Sequence, residues 1–506
     1  MVLKEIIKTL QSKIINSETT RLFIETLKKF TSLDLQNNNI GKEGAGLIAE
    51  ALKVNNTLIL LDLGCNDIGD EGTQLIAEAL KINNTLTSLE LNHNKIGEKG
   101  INLIAEVLEK SKILTWIGLY GNNIGEKEVK LIIEALKVNK TLVSLDLGNN
   151  NIGEEAAELI AEFLKENKAL TSLDLQSNNI GTEGIKLIAE ALKVNNTLTF
   201  LDLSGTNIGT EGAGLIAEAL KVNKTLTSLN LGFNNIGKEG AGLIAEALKV
   251  NNTLTSLELN SNNIKEEGAA LIADLLKVNK TLASLDLQDN NIGKEGIKLI
   301  AEALKVNNTL TSLDLGFNYI GEEEAGLIAE ALKVNNTLIS LDLGYNNSCI
   351  GSEGIKLIAE ALKVNKTLTS LKLSFNNIGN EGAELIAEVL KKNKTLTSLN
   401  LDGNSISEEG AKLIAEALRE NKSLTSLNLE DNNIKEETYR IIYDAISSNR
   451  EYVSEEAKLL SIVDLGKTIE IVGHLPIPCL VNVTHLNTED SISMDLVGDL
   501  GVNNGF

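Results

Sequence analysis

The sequence predicts an α/β fold, a solenoid of 15 repeats of 28 residues, each a short strand followed by a helix. Three observations predict it. Leu61 returns every 28 residues as Leu89, Ile117, Leu145, Leu173 and onward to Leu341. Leu33 precedes this series, and after a two-residue slip at Ser348 and Cys349 it resumes at Leu371, Leu399 and Leu427. Within each unit the apolar spacing changes from two, in Leu61-Asp62-Leu63, to three and four, in Ala45, Ile48, Ala49 and Leu52. The first is the period of a half-buried strand, the second that of an amphipathic helix. An asparagine also stands at one fixed place after nearly every strand (Asn38, Asn66, Asn94, Asn122), with Thr206 as the exception. Such a period marks stacked repeats that bury their apolar faces against one another.

Element widths set the expected curvature. Parallel strands stack about 4.8 Å apart, whereas helices need roughly 8–10 Å. Helices therefore take the outside of an arc, and the expected form is a horseshoe with the parallel β-sheet on its concave face and the α-helices on its convex face.

In chain order, residues 1–32 hold two amphipathic stretches, Leu3–Ile15 and Glu18–Phe30, with Ser17 placed to cap the second. They read as an N-terminal helical cap over the first apolar layer. Residues 33–450 are the array. The asparagine after each strand is placed to bond the backbone of adjoining turns, where a polar loop is buried against the next coil. A second asparagine, after Lys-Val (Asn55, Asn139, Asn195), suits a left-handed helix C-cap. Residues 451–506 leave the pattern and read as a C-terminal tail or cap, with short strands at Leu459–Leu465 and Thr468–Val472.

Net charge is −23, which repels nucleic-acid phosphates and anionic lipid and favours a protein partner with a basic surface. Cys65, Cys349 and Cys479 are odd in number and scattered, so they form neither a disulfide framework nor a metal pair. Lys4, Glu5 and Lys8 stand where a signal peptide needs an apolar core, and no apolar run reaches the roughly 18 residues of a membrane span. A cytoplasmic monomer is expected. His93, His474 and His485 belong to no catalytic or metal-binding spacing, and no phosphate-binding glycine loop occurs. Neither enzyme activity nor a cofactor is expected.

The run Leu226–Leu248 reads L-x-x-L-x-L-x-x-N-x-I-G-x-x-G-A-x-x-I-A-E-A-L. It resembles the ribonuclease-inhibitor-type leucine-rich repeats, the class also found in NOD-like receptors and the Ran GTPase-activating protein. The resemblance covers about residues 30–450 and implies protein binding on the concave surface and rims. The inhibitor itself alternates two repeat types and is cysteine-rich, whereas this array is uniform, so no ribonuclease-binding residue carries over.

In a uniform array, binding information lies in departures from consensus on the strand face. The residue between the two strand leucines is acidic in ten copies, including Asp146, Asp174, Asp202, Asp286, Asp314 and Asp342. Stacked like charges cost stability without a counter-charge, so this row reads either as an exposed acidic track for a basic partner or as one tolerated Asp copied by duplication and softened by the serines beside it, such as Ser144 and Ser172. Phe317, Tyr345 and Phe375 share one place in three successive repeats, with Tyr319 nearby and Lys372 reversing the row's charge. Contiguous aromatics beside a charge reversal have the character of an interface centre. A second departure holds Trp116, Gly118 and Tyr120, with Phe200 in the place of Trp116 three repeats on; it reads as an anchor patch.

The expected function is a scaffold that binds a partner protein on the concave face. Two alternatives stand beside it: a GTPase activator of the kind the resemblance includes, and a microbial effector acting on a host protein.

Overall fold

The computed structural model describes residues 17–346 and 350–464. The chain divides into two compact units, Met1–Val453 and Ser454–Phe506, and the array lies in the first. Among the described residues there are 15 strands and 16 helices, alternating in sequence. The 15 strands form one parallel sheet in strict chain order. Each strand has three residues and pairs in register with the copy before it, as Ser284, Leu285 and Asp286 pair with Ser256, Leu257 and Glu258.

The helix α1 (Ser17–Leu27) precedes strand β1 (Ser32–Asp34). The Leu3–Ile15 stretch lies outside the described residues. A typical unit runs from β2 (Leu60–Asp62) into α3 (Gly69–Leu80). Strand leucines such as Leu61 and Leu63 and helix residues such as Ile76, Ala77 and Ala79 are almost wholly buried between sheet and helices. Small alanines on the inward stripe let the helix sit close to the sheet. Consecutive helices pack side by side, so the core is one long cluster from Phe23 to Ile446.

The asparagine row after the strands behaves as its spacing predicts. Asn66 Nδ2 donates to the carbonyls of Leu35, Leu63 and Gly64 at 2.8–3.0 Å, while Oδ1 accepts from Asn38 N at 2.9 Å and Ile40 N at 3.3 Å. One buried amide thus satisfies backbone groups of two repeats. At Thr206 the hydroxyl keeps the donor half, giving to Leu203 O at 2.6 Å.

The second asparagine row differs from expectation. Asn139 is not left-handed but extended, at φ −63 and ψ 135. Its side chain does the work instead: Nδ2 donates to Leu108 O at 2.7 Å, and Oδ1 accepts from Thr141 N and Leu142 N. Burial in a groove between coils selects an amide with donors and acceptor, so the left-handed tolerance of asparagine is not used here. The chain end also departs from expectation. Residues 459–464 belong not to a strand but to the last helix, α16 (Glu436–Asp464), which runs through Glu451. The second expected strand, Thr468–Val472, lies outside the described residues.

Candidate functional site

The open face of the sheet presents one side chain per repeat between the two inward leucines. Asp146, Asp174 and Asp202 are direct neighbours on β5 (Ser144–Asp146), β6 (Ser172–Asp174) and β7 (Phe200–Asp202). Asn230 interrupts them on β8 (Ser228–Asn230). Glu258, Asp286, Asp314 and Asp342 then run without a break across β9 (Ser256–Glu258), β10 (Ser284–Asp286), β11 (Ser312–Asp314) and β12 (Ser340–Asp342). Lys372 follows on β13 (Ser370–Lys372), and its Nζ lies 3.0 Å from Asp342 Oδ2.

These carboxylates are not the exposed track the sequence suggests. They are half-buried, and Asp202 is 6% exposed. The aspartates fold back onto their own chain: Asp146 accepts from Gly148 N, Asp286 from Gln288 N, Asp314 from Gly316 N and Asp342 from Gly344 N, all at 2.8 Å. Asp202 accepts from both the amide and the hydroxyl of Ser204. Burial is accordingly the main force on their protonation, pushing Asp62, Asp146, Asp202 and Asp286 upward. Burial and then repulsion from Asp146 and Asp202 push Asp174 up to about 7. Burial and then Asp286 and Asp202 raise Glu258 to about 7; burial with Asp342 and Asp286 raises Asp314 to about 8. Among the described residues, Lys372 with Asp342 is the one ion pair along this row.

The three aromatics lie three residues beyond Asp314, Asp342 and Lys372, the first two just past the amides that Asp314 and Asp342 bind. The structure brings them together as a continuous stack. Phe317 and Tyr345 have ring centroids 4.5 Å apart and planes 6° from parallel; Tyr345 and Phe375 are 4.6 Å apart at 19°. All three occupy left-handed backbone, at φ 55, 56 and 53. Every repeat is left-handed at this place: Gly121, Gly205 and Gly403 adopt it freely, and non-glycine residues such as Asn37, His93, Ser177, Phe233 and Asp289 hold it elsewhere. The stack ends at Gly403, where an added Cβ would sit 2.5 Å from the Phe375 ring. Tyr319, also left-handed, is 58% exposed in the same loop as Phe317.

The anchor patch is not assembled. Trp116 on β4 (Trp116–Gly118) is half-buried and pairs with Ser144, and Phe200 pairs with Ser172, so two strands separate them. Tyr120 packs edge-on against His93, with centroids 5.0 Å apart, and its ring lies against Gly148. Gly118 has a local role: the Glu90 carboxylate occupies the space a side chain there would need. Burial, then Asp62 and Asp146, push Glu90 to about 8.

One feature of this region escapes a sequence reading. The asparagine row lapses beside the stack: Asn376 is wholly buried, yet its Oδ1 has no hydrogen-bond partner. This is the joint that follows the Ser348-Cys349 insertion, and the Tyr345–Phe375 ring contact spans it. The insertion is visible in the spacing; the acceptor it leaves without a partner is not.

Fourteen segments between residues 26 and 437 match the leucine-rich repeat family model, and the matched residues skip 106–137, the repeat of Trp116 and Gly118. The chain belongs to the leucine-rich-repeat family. No curated protein sequence matches it. Among solved structures it is similar to a leucine-rich-repeat-containing protein, LegL7, from Legionella pneumophila (21% identity, 57% of this chain and 94% of that one, TM-score 0.41). It is also similar to a chain of the yeast Rad7–Elc1 complex (16% identity, 81% and 89% coverage, TM-score 0.45). The actin-binding site 2 of leiomodin-1 is 26% identical over 33% of this chain and 95% of that one, with a TM-score of 0.29. Among the described residues no helix is long and apolar enough to cross a membrane, and no group of three or more His, Cys, Asp or Glu side chains is placed to hold a metal.

Proposed function

We propose that this chain is a protein-interaction scaffold that binds a basic partner protein across the strand face, with the Phe317–Tyr345–Phe375 stack at the centre of the contact. The observation that carries the reading is the partly exposed stack that those three residues form on left-handed backbone. Left-handed backbone costs a non-glycine residue about 1–2 kcal/mol. Two stacked pairs return about 0.5–1.5 kcal/mol each. Residues such as Asn149, Ser177 and Ser261 bear the same backbone cost in other repeats, so what sets this place apart is three adjoining, partly exposed rings in register, and a contact with another molecule gives them a use.

The neighbouring carboxylates support the choice of a basic partner, because a cation brought to Glu258, Asp286 or Asp314 relieves repulsion that the fold leaves standing. A cytoplasmic setting suits the scattered cysteines, with Cys65 free. The test compares wild type with an F317G/Y345G/F375G variant, which keeps the backbone conformation and removes the rings. In affinity capture from lysate, a specific partner retained by wild type and lost by the variant is expected. Equal capture by both removes the stack from the interface.

A further inference from the structure

We propose that the occupant of the β9–β12 row is a basic amphipathic α-helix of the partner, lying across the strands with its cations over Glu258, Asp286, Asp314 and Asp342 and its apolar flank on the aromatic stack. The inference rests on the scaffold reading above and names the shape and chemistry of what is bound. The first argument is a match of periods. Parallel strands lie about 4.8 Å apart, so four successive carboxylates span about 14 Å. One face of an α-helix returns about every 5.4 Å, and four side chains at i, i+4, i+7 and i+11 span about 16 Å. An extended segment presents same-side residues about every 6.7 Å, so four of them span about 20 Å and fall out of step. Lysine and arginine stems absorb the first mismatch and not the second.

The second argument concerns the ends of the row. Asn230 stands before Glu258, and Lys372 stands after Asp342, where it is ion-paired at 3.0 Å. The run is therefore four carboxylates long, closed by a cation on one side, which suits about three helical turns. The third is the form of the stack. Rings 4.5 and 4.6 Å apart leave no slot for a guanidinium, since two van der Waals contacts need about 7 Å. The stack offers its edges and the sides of three rings to aliphatic side chains instead. It begins in the loop after β11 and ends in the loop after β13, beside the Asp314 and Lys372 end of the row, so the helix's apolar flank is fixed toward that end.

Two labelled synthetic peptides of about 18 residues and identical composition test this on the full chain, by fluorescence anisotropy. One carries lysines at i, i+4, i+7 and i+11 with leucines alongside; in the other the same residues are scattered around the helix. The phased peptide is expected to bind about ten-fold tighter or better and to gain helicity when bound. D286N/D314N should cost it about ten-fold, while D174N, on the separate upper row, leaves it unchanged. Circular dichroism checks that both variants fold. Equal affinity for the two peptides, no binding by either, or indifference to D286N/D314N overturns the helical occupant. If that happens while F317G/Y345G/F375G still loses its captured partner, the scaffold reading stands and the helix is wrong. If the variant also keeps that partner, both fall.

Discussion

The Phe317 ring lies 4.5 Å from that of Tyr345 and within 6° of parallel, and both residues hold left-handed backbone. The pairing joins two terms of opposite sign at one position. Replacing Tyr345 by alanine removes both ring contacts and keeps the backbone cost; replacing it by glycine removes the contacts and the cost together. Tyr345→Gly should therefore be more stable than Tyr345→Ala by about 1 kcal/mol in urea denaturation, the reverse of the order found in ordinary strand or helix positions. An alanine variant as stable as the glycine one contradicts the strain assigned to this loop.

The asparagine row should respond strongly to deletion and favourably to repair. Asn262 Nδ2 donates to Leu231 O, Leu259 O and Asn260 O, and its Oδ1 accepts from Asn234 N and Ile236 N. Asn262→Ala leaves several buried backbone groups without partners, and a loss of about 3–5 kcal/mol is expected. Thr206→Asn restores the acceptor at the one place where the row lacks it, and should add about 1 kcal/mol. Thermal or urea unfolding of the two variants measures both.

The fold was legible because its signal is redundant. Leu61 and Asn66 recur on a fixed interval, and a repeat needs only its neighbours, so reading one unit reads nearly all of them. The stack at Phe317, Tyr345 and Phe375 was legible for the same reason: residues at equal places in successive repeats must lie side by side. Two things were not. The strand acids alternate with inward leucines and so read as exposed; that the aspartates fold back onto their own chain, as Asp314 does onto Gly316, is something periodicity does not encode. Asn139 is ambiguous in sequence, because a left-handed cap and a buried amide select the same residue type.

The insertion at Ser348 and Cys349 gives a further test. In the regular repeats Asn318 N and Ile320 N donate to Asn346 Oδ1 at 2.7 and 3.0 Å. The equivalent acceptor, Asn376 Oδ1, is buried without a partner. Deleting Ser348 and Cys349 restores the 28-residue interval between Asn346 and its successor. The shortened chain should regain those bonds and about 1–3 kcal/mol of stability. Hydrogen exchange offers the sharper readout: amides flanking this joint should become slower to exchange, with distant repeats unchanged. Unchanged exchange at the joint would mean the orphaned acceptor costs nothing.

The half-buried acids make stability depend on pH in an unusual sense. Glu90 and Asp314 are raised to about 8, and Asp174 and Glu258 to about 7, each chiefly by burial and then by neighbouring carboxylates. In the unfolded chain these groups titrate near about 4. Between about pH 4 and pH 8 the folded state therefore binds more protons than the unfolded one, and stability falls as pH rises through that window. Glu408 works the other way: hydrogen bonds led by the Lys435 amide hold it down at about 2, so its contribution is present at neutral pH and disappears on strong acidification. The melting temperature should peak near about pH 5 and decline toward pH 8, where most proteins are still on a plateau. Asp314→Asn removes one buried negative charge with little change of shape. It should raise the melting temperature at about pH 8, leave it nearly unchanged at about pH 5, and so flatten the profile. A variant that melts lower than wild type at pH 8 would show that the Asp314 charge is already compensated in the free chain, which would remove the electrostatic reason for a basic partner on this row.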